Sequence, residues 1–142
     1  MLRTTILSCV ALAAWVLVAA SGCSASVTTV TCNGGGGSCS CAGGQICNFS
    51  PQTCTGSCSL GCADGSTCRG SCGESCSISC GTGTTCEATV GASGSVSCGN
   101  DSDCHITCNG SCSVSCGSGA NCSIRCTGDS ASRTFSGSAS CP

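Results

Sequence analysis

Apolar and polar residues alternate between residues 54 and 126. Every cysteine in this stretch has an even number, and so have aliphatic residues such as Leu60, Ile78 and Val96. The odd positions hold almost only serine, threonine, glycine, asparagine and charged residues. A period of two predicts β-strands with one buried face, whereas an amphipathic helix requires a period of 3.6. The pattern therefore predicts an all-β fold.

The cysteine spacing repeats every 18 residues. Two complete columns have this interval: Cys62, Cys80, Cys98 and Cys116, and Cys68, Cys86, Cys104 and Cys122. Each unit contains two short β-prone segments and two turns rich in glycine, asparagine and serine. Units stacked in parallel about 4.8 Å apart form a flattened β-solenoid with two sheets. We expect about four to five such coils, stapled by disulfides.

Strand geometry constrains the disulfide pairing. Cys76 and Cys80 bracket an extended strand, which places their Cα atoms about 13 Å apart, whereas a disulfide needs them within about 7 Å. Bridges must therefore cross a turn or link neighbouring coils. Crossing a turn explains why two cysteines that would be partners are replaced together, by Val90 and Gly94. Pairs between coils, such as Cys62 with Cys80, are the alternative, although parallel stacking holds Cβ atoms near 4.8 Å, beyond the preferred separation.

The turn-crossing scheme assigns ten bridges. Seven lie in the regular array: Cys54–Cys58, Cys62–Cys68, Cys72–Cys76, Cys80–Cys86, Cys98–Cys104, Cys108–Cys112 and Cys116–Cys122. The other three are Cys126–Cys141, Cys32–Cys39 and Cys41–Cys47. One buried aliphatic side chain per strand, worth about 1.5 to 3 kcal/mol, cannot offset an ordering entropy of roughly 1 to 2 kcal/mol per residue. The bridges are therefore required for folding.

Composition agrees with a secreted disulfide scaffold. The 142 residues include 22 cysteines but only 2% aromatic and 7% charged residues, so neither a conventional core nor a conventional surface can form. So many thiols suit an oxidising compartment. A metal–thiolate cluster would favour C-x-C and C-x-x-C, whereas C-x3-C and C-x5-C dominate here. We therefore expect disulfides and no cofactor.

Charge and candidate chemistry exclude other classes. A net charge of −2 without any lysine leaves no phosphate-binding surface, so we expect no nucleic-acid partner. The chain has a single histidine, His105, and its thiols are consumed in bridges, so we expect no enzyme. His105 follows Asp101 and Asp103 on the outward side, and these three residues form a weak candidate metal site.

The N-terminal segment predicts export. Arg3 precedes an apolar run at residues 6–20, which is too short to span a membrane comfortably but suits a signal peptide. The run ends in ASGC, whose last residue is Cys23, and this motif resembles the lipobox of bacterial lipoproteins. The resemblance implies that Cys23 is lipidated and becomes the new N-terminus, and that Ser24 directs the protein to the outer membrane. Cleavage after Ala20, giving a soluble secreted protein, is the alternative.

Cysteine parity favours the lipoprotein. Removal of Cys9 with the signal peptide and lipidation of Cys23 leave 20 of the 22 cysteines, whereas cleavage after Ala20 leaves one thiol over. The predicted organisation is a signal peptide (1–22), a lipidated N-terminus with a flexible tether (23–38), an N-terminal cap or irregular coil (39–53), regular repeats (54–126) and a C-terminal cap (127–142).

Serines form a grid on one predicted outer face. The grid comprises Ser75, Ser77, Ser79, Ser93, Ser95, Ser97, Ser111, Ser113 and Ser115. It resembles the threonine arrays of disulfide-bonded ice-binding solenoids, which implies binding to ice or to a glycan, although serine lacks the methyl group of threonine. The other interpretation is a plain uncharged face that resists proteolysis.

These observations favour a non-enzymatic structural role. We expect a rigid module displayed on the outer membrane or cell surface, with its N-terminal lipid in the membrane. The alternatives are binding of ice or a glycan through the serine grid, and, with less support, metal binding. The residues do not identify a protein or glycan partner.

Overall fold

The computed structural model of the protein describes residues 27–30, 37–49 and 56–142. These ranges form thirteen β-strands in two sheets and contain no helix, so the predicted all-β solenoid is confirmed. Accordingly, nothing helical in the described ranges has the length and apolar character needed to cross a membrane. The predicted signal peptide and Cys23 lie outside the described residues.

The strands alternate between two sheets along the chain. In chain order they are β1 (Val27–Val30), β2 (Ser38–Cys41), β3 (Ile46–Phe49), β4 (Ser59–Cys62), β5 (Thr67–Cys72), β6 (Ser77–Cys80), β7 (Thr85–Val90), β8 (Gly94–Cys98), β9 (Asp103–Cys108), β10 (Cys112–Cys116), β11 (Asn121–Cys126), β12 (Arg133–Phe135) and β13 (Ser138–Cys141). Sheet A has the order β1-β3-β5-β7-β9-β11-β12, and sheet B has the order β13-β10-β8-β6-β4-β2. Each coil therefore contributes one strand to each sheet.

The stacking register of the regular coils is 18 residues. In sheet B, Ser77 of β6 pairs with Ser95 of β8, and in sheet A, Cys86 of β7 pairs with Cys104 of β9. Because the offset is even, paired residues face the same side of their sheet. Side chains alternate between exposed and buried along β6, and the same alternation occurs in the other regular strands. The predicted inside and outside positions are confirmed.

The first coils depart from this register. Ser38 of β2 pairs with Ser59 of β4, and Ile46 of β3 pairs with Thr67 of β5, so both offsets are 21 residues. The connection from β3 to β4 therefore contains three more residues than later connections. Strand β1 lies within the predicted tether and pairs in parallel with β3. The irregularity predicted for residues 39–53 is thus confined, among the described residues, to the connection after β3.

The core is a layer of sulfur atoms and small aliphatic side chains between the sheets. Buried Leu60, Ile78, Val96, Ile106 and Val114 pack among the cysteines. Polar groups inside the coil are satisfied locally. The hydroxyl groups of Ser66, Thr84 and Ser102 each donate a hydrogen bond to a backbone carbonyl three residues earlier, at 2.7, 3.0 and 2.7 Å. These three equivalent residues are at most 2% exposed, and they close the same turn in successive coils.

The C-terminal tail caps both sheets. Strand β12 pairs antiparallel with β11, and β13 pairs antiparallel with β10. Phe135 packs against the core from the end of β12. The tail thereby covers the strand edges that a parallel stack would leave open at this end.

Candidate functional site

Disulfides cross the turns of the solenoid. Within the described ranges eight bridges are formed: Cys41–Cys47, Cys62–Cys68, Cys72–Cys76, Cys80–Cys86, Cys98–Cys104, Cys108–Cys112, Cys116–Cys122 and Cys126–Cys141. Their Cα–Cα separations run from 5.5 to 6.6 Å, within the range of protein disulfides. All eight pairs follow the turn-crossing scheme, and none of them follows the alternative scheme of bridges between coils.

The first turn of the array differs from the prediction. Cys58 is a free, buried thiol, so the predicted Cys54–Cys58 bridge is wrong. The physical reason is the longer connection before β4, which does not have the spacing of the later C-x3-C turns. Cys54 itself lies outside the described residues. Cys39 is disulfide-bonded, and its predicted partner, Cys32, also lies outside the described residues.

Val90 and Gly94 occupy the positions of a bridge in the neighbouring coils. Val90 pairs in register with Cys72 and Cys108, and Gly94 pairs with Cys112. The Val90 side chain is completely buried, and a Cβ atom added to Gly94 would overlap its Cγ1 atom. The valine therefore fills the space that sulfur atoms fill elsewhere, and glycine provides the room for it.

The outer face of sheet B carries two exposed columns of serines. The columns are Ser77, Ser95 and Ser113, and Ser79, Ser97 and Ser115. Of these six hydroxyl groups, only that of Ser115 bonds to another described residue, through a hydrogen bond of 3.5 Å to the Val96 carbonyl. The face is a shallow depression of about 440 Å³ with Ser138 of β13 on its rim. Its hydroxyl groups are thus available to a ligand or to water.

The third predicted serine column lies in turns. Ser75 and Ser93 have left-handed backbones with φ values of 55° and 59°, and the Ser93 N–H donates a hydrogen bond of 2.6 Å to the Ser111 carbonyl. None of the three residues belongs to a strand. The predicted flat grid of three columns is therefore two strand columns bordered by a row of turns.

Sheet A presents a charged and hydrogen-bonded outer face. Arg69 forms an ion pair of 2.9 Å with Glu87 in the next coil. His105 accepts or donates a hydrogen bond of 2.7 Å between its Nδ1 and the Ser123 hydroxyl, and its Nε2 lies 3.3 Å from the Asp103 carboxylate. Ser123 is only 8% exposed, so its hydroxyl is shielded from bulk solvent. The row links the strands of successive coils through their side chains.

The candidate metal trio is not brought together. Asp103 and His105 are neighbours, but Asp101 lies in a turn with a φ of 52°, and its carboxylate packs against Gly119 of the next coil. Among the described residues, groups of three or more metal-ligating side chains with closely spaced ligand atoms consist of cysteines alone. Asp101, Asp103 and His105 therefore do not form the predicted three-ligand site.

No protein-family model, no curated protein and no solved structure matches this chain. Its role must therefore be inferred from its own residues.

Proposed function

We propose that this protein is a non-enzymatic structural module, exported and held on the bacterial cell envelope by a lipid on Cys23. The observation that carries the proposal is the series of eight turn-crossing bridges through a two-sheet solenoid. Each bridge fixes a turn between the sheets, and the cap strands close one end. Such a scaffold keeps its shape without a large apolar core, which suits a rigid element that is exposed to proteases.

Disulfide density supports the exported location. Cytosolic thiols are kept reduced, whereas an oxidising compartment allows bridges to form and persist. The apolar run at residues 6–20 and the lipobox-like ASGC motif supply a signal and an anchor. A single acyl chain gives marginal membrane binding, so the two or more chains of a lipoprotein N-terminus are needed for stable attachment.

The anchor is tested by changing Cys23 to alanine in the full-length protein expressed in a bacterial host. We expect the wild-type protein in the membrane fraction, with a mass increase equal to the lipid, and the Cys23→Ala protein without lipid. Cys9→Ala is the matched control, because it removes a cysteine from the predicted signal peptide and should still give a lipidated product. A wild-type protein that carries no lipid would show that the soluble secreted form is correct.

A second candidate function is binding of ice or a glycan through sheet B. The observation that favours it is the pair of exposed serine columns, whose members repeat in register from coil to coil. A periodic row of hydroxyl groups can match a ligand that is itself periodic. Thermal hysteresis and glycan-array binding should both be measured for the wild type, for Ser95→Tyr in the centre of the face, and for Thr107→Tyr on the opposite sheet as a control. Equal behaviour of the three proteins in both assays would remove this candidate.

A further inference from the structure

Sulfur atoms of successive bridges lie close together along the solenoid. In three groups of three cysteines, all sulfur atoms lie within 4.8 Å of one another. The groups are Cys80, Cys98 and Cys104; Cys98, Cys116 and Cys122; and Cys108, Cys112 and Cys141. Each group combines both sulfurs of one bridge with one sulfur of the bridge in the adjacent coil or cap. The fold therefore places three potential sulfur ligands together at several points.

Reduction would convert these groups into metal ligands. A dithiol reductant gives two electrons and two protons to each bridge, and is itself oxidised to a disulfide. Opening the two bridges that contribute to one group thus takes four electrons and four protons and leaves four thiols. Each sulfur that then binds a metal releases its proton to solvent and donates an electron pair, so the metal keeps its oxidation state.

The ligand number and type favour a soft monovalent ion. Thiolates select copper(I), zinc and iron–sulfur clusters, and a structural zinc site requires four ligands. The groups contain three sulfurs and, among the described residues, no histidine or carboxylate joins them. Metal–sulfur bonds of about 2.3 Å would place three sulfurs about 4 Å apart, which is a small contraction of the spacing present here.

We propose that the reduced chain binds copper(I) at these three-sulfur groups, and that the bound metal links neighbouring coils in place of the bridges. Cys98 belongs to two groups, so its sulfur can connect two successive sites. This site goes beyond the structural role proposed above, because it exists only in the reduced chain.

The test compares two double variants that each remove one bridge. Cys98→Ser/Cys104→Ser takes ligands from two of the three groups, whereas Cys72→Ser/Cys76→Ser takes ligands from none. The full mature chain is reduced with a phosphine, separated from the reductant without oxygen, and titrated with copper(I) alone. Copper per chain is measured after gel filtration by atomic emission, and β-structure is measured by far-ultraviolet circular dichroism.

The wild type and the Cys72→Ser/Cys76→Ser control should bind the same amount of copper and regain the β-sheet signal on binding. Cys98→Ser/Cys104→Ser should bind about two fewer copper ions and regain less of that signal. If the reduced chain keeps its sheets without metal, the difference in copper content decides. Equal copper in both variants, or copper binding by a wild type that stays disordered, would overturn the proposal, since the thiols would then bind metal without the fold.

Discussion

Introducing the missing bridge at Val90 and Gly94 tests whether the solenoid is stabilised turn by turn. In the neighbouring coils the equivalent cysteines, separated by four residues, form Cys72–Cys76 and Cys108–Cys112 with Cα–Cα separations of 6.1 Å. With Val90 in place, a Cβ atom on Gly94 would overlap the valine. The next nearest atoms, two backbone oxygens, lie at ordinary contact distances of 3.4 and 3.5 Å. The double variant Val90→Cys/Gly94→Cys therefore removes the only close obstacle at that site.

The expected gain follows from the size of the closed loop. A bridge that closes a five-residue loop restricts the unfolded chain by about 2 kcal/mol in the chain-entropy model. Losing the buried valine methyl groups costs about 1 kcal/mol, part of which the new sulfurs restore. We expect a net increase of about 1 kcal/mol in the free energy of unfolding. The single variant Gly94→Ala keeps the valine and adds the overlapping carbon, and it should lose about 1 to 3 kcal/mol.

Guanidinium unfolding of the oxidised proteins measures these differences, and intact mass confirms that the new cysteines are bonded by a loss of about 2 Da. The order of stability should be the double variant, then wild type, then Gly94→Ala. A bonded double variant that is less stable than wild type would refute the view that each turn is an independent stapled unit. A Gly94→Ala protein as stable as wild type would refute the packing of Val90 into the space of the absent bridge.

Four further expectations follow from the bridges, the turns and the register. Full reduction without metal should abolish the β-sheet circular dichroism and protease resistance, and a reduced chain that keeps both would show that the bridges are dispensable. Thr84→Val should lower the free energy of unfolding by about 1 to 2 kcal/mol, because a buried carbonyl loses its hydroxyl donor, whereas Thr85→Val on the adjacent strand position should change it by less than about 0.5 kcal/mol. Deleting residues 77–94 removes one whole coil and should leave a folded, protease-resistant protein, whereas deleting residues 77–93 shifts the alternation by one residue and should not fold. Cys58 should react with iodoacetamide only after denaturation, and rapid labelling of the native protein would contradict its burial.

The parts of the fold that were predictable depend on local spacing. A period of two assigns an inner and an outer face without reference to any other strand, so the buried positions of Ile78 and Val96 and the exposure of Ser77 and Ser95 could be read from the chain. Bridges such as Cys62–Cys68 join the two ends of one turn, and the length of an extended strand is enough to exclude the partner across it.

Other features needed the alignment of strands from different coils. The three extra residues before β4 have no effect on the alternation within a strand, so the 21-residue register and the free thiol of Cys58 could not be anticipated. Even-numbered Ser66, Thr84 and Ser102 fit the inward parity, but the hydrogen bonds that make their burial tolerable depend on the path of each turn.

The sequence by itself determined the all-β architecture, the 18-residue coil, the faces of the strands and the bridges across turns, because all of these follow from short-range geometry. Only the tertiary structure decided which surfaces the coils build together. It placed the serine columns in register on sheet B and moved Asp101 away from His105 into a turn. It also brought sulfurs of successive bridges within 4.8 Å. Such contacts between residues 18 or more positions apart depend on how one coil lies on the next, which no single repeat encodes.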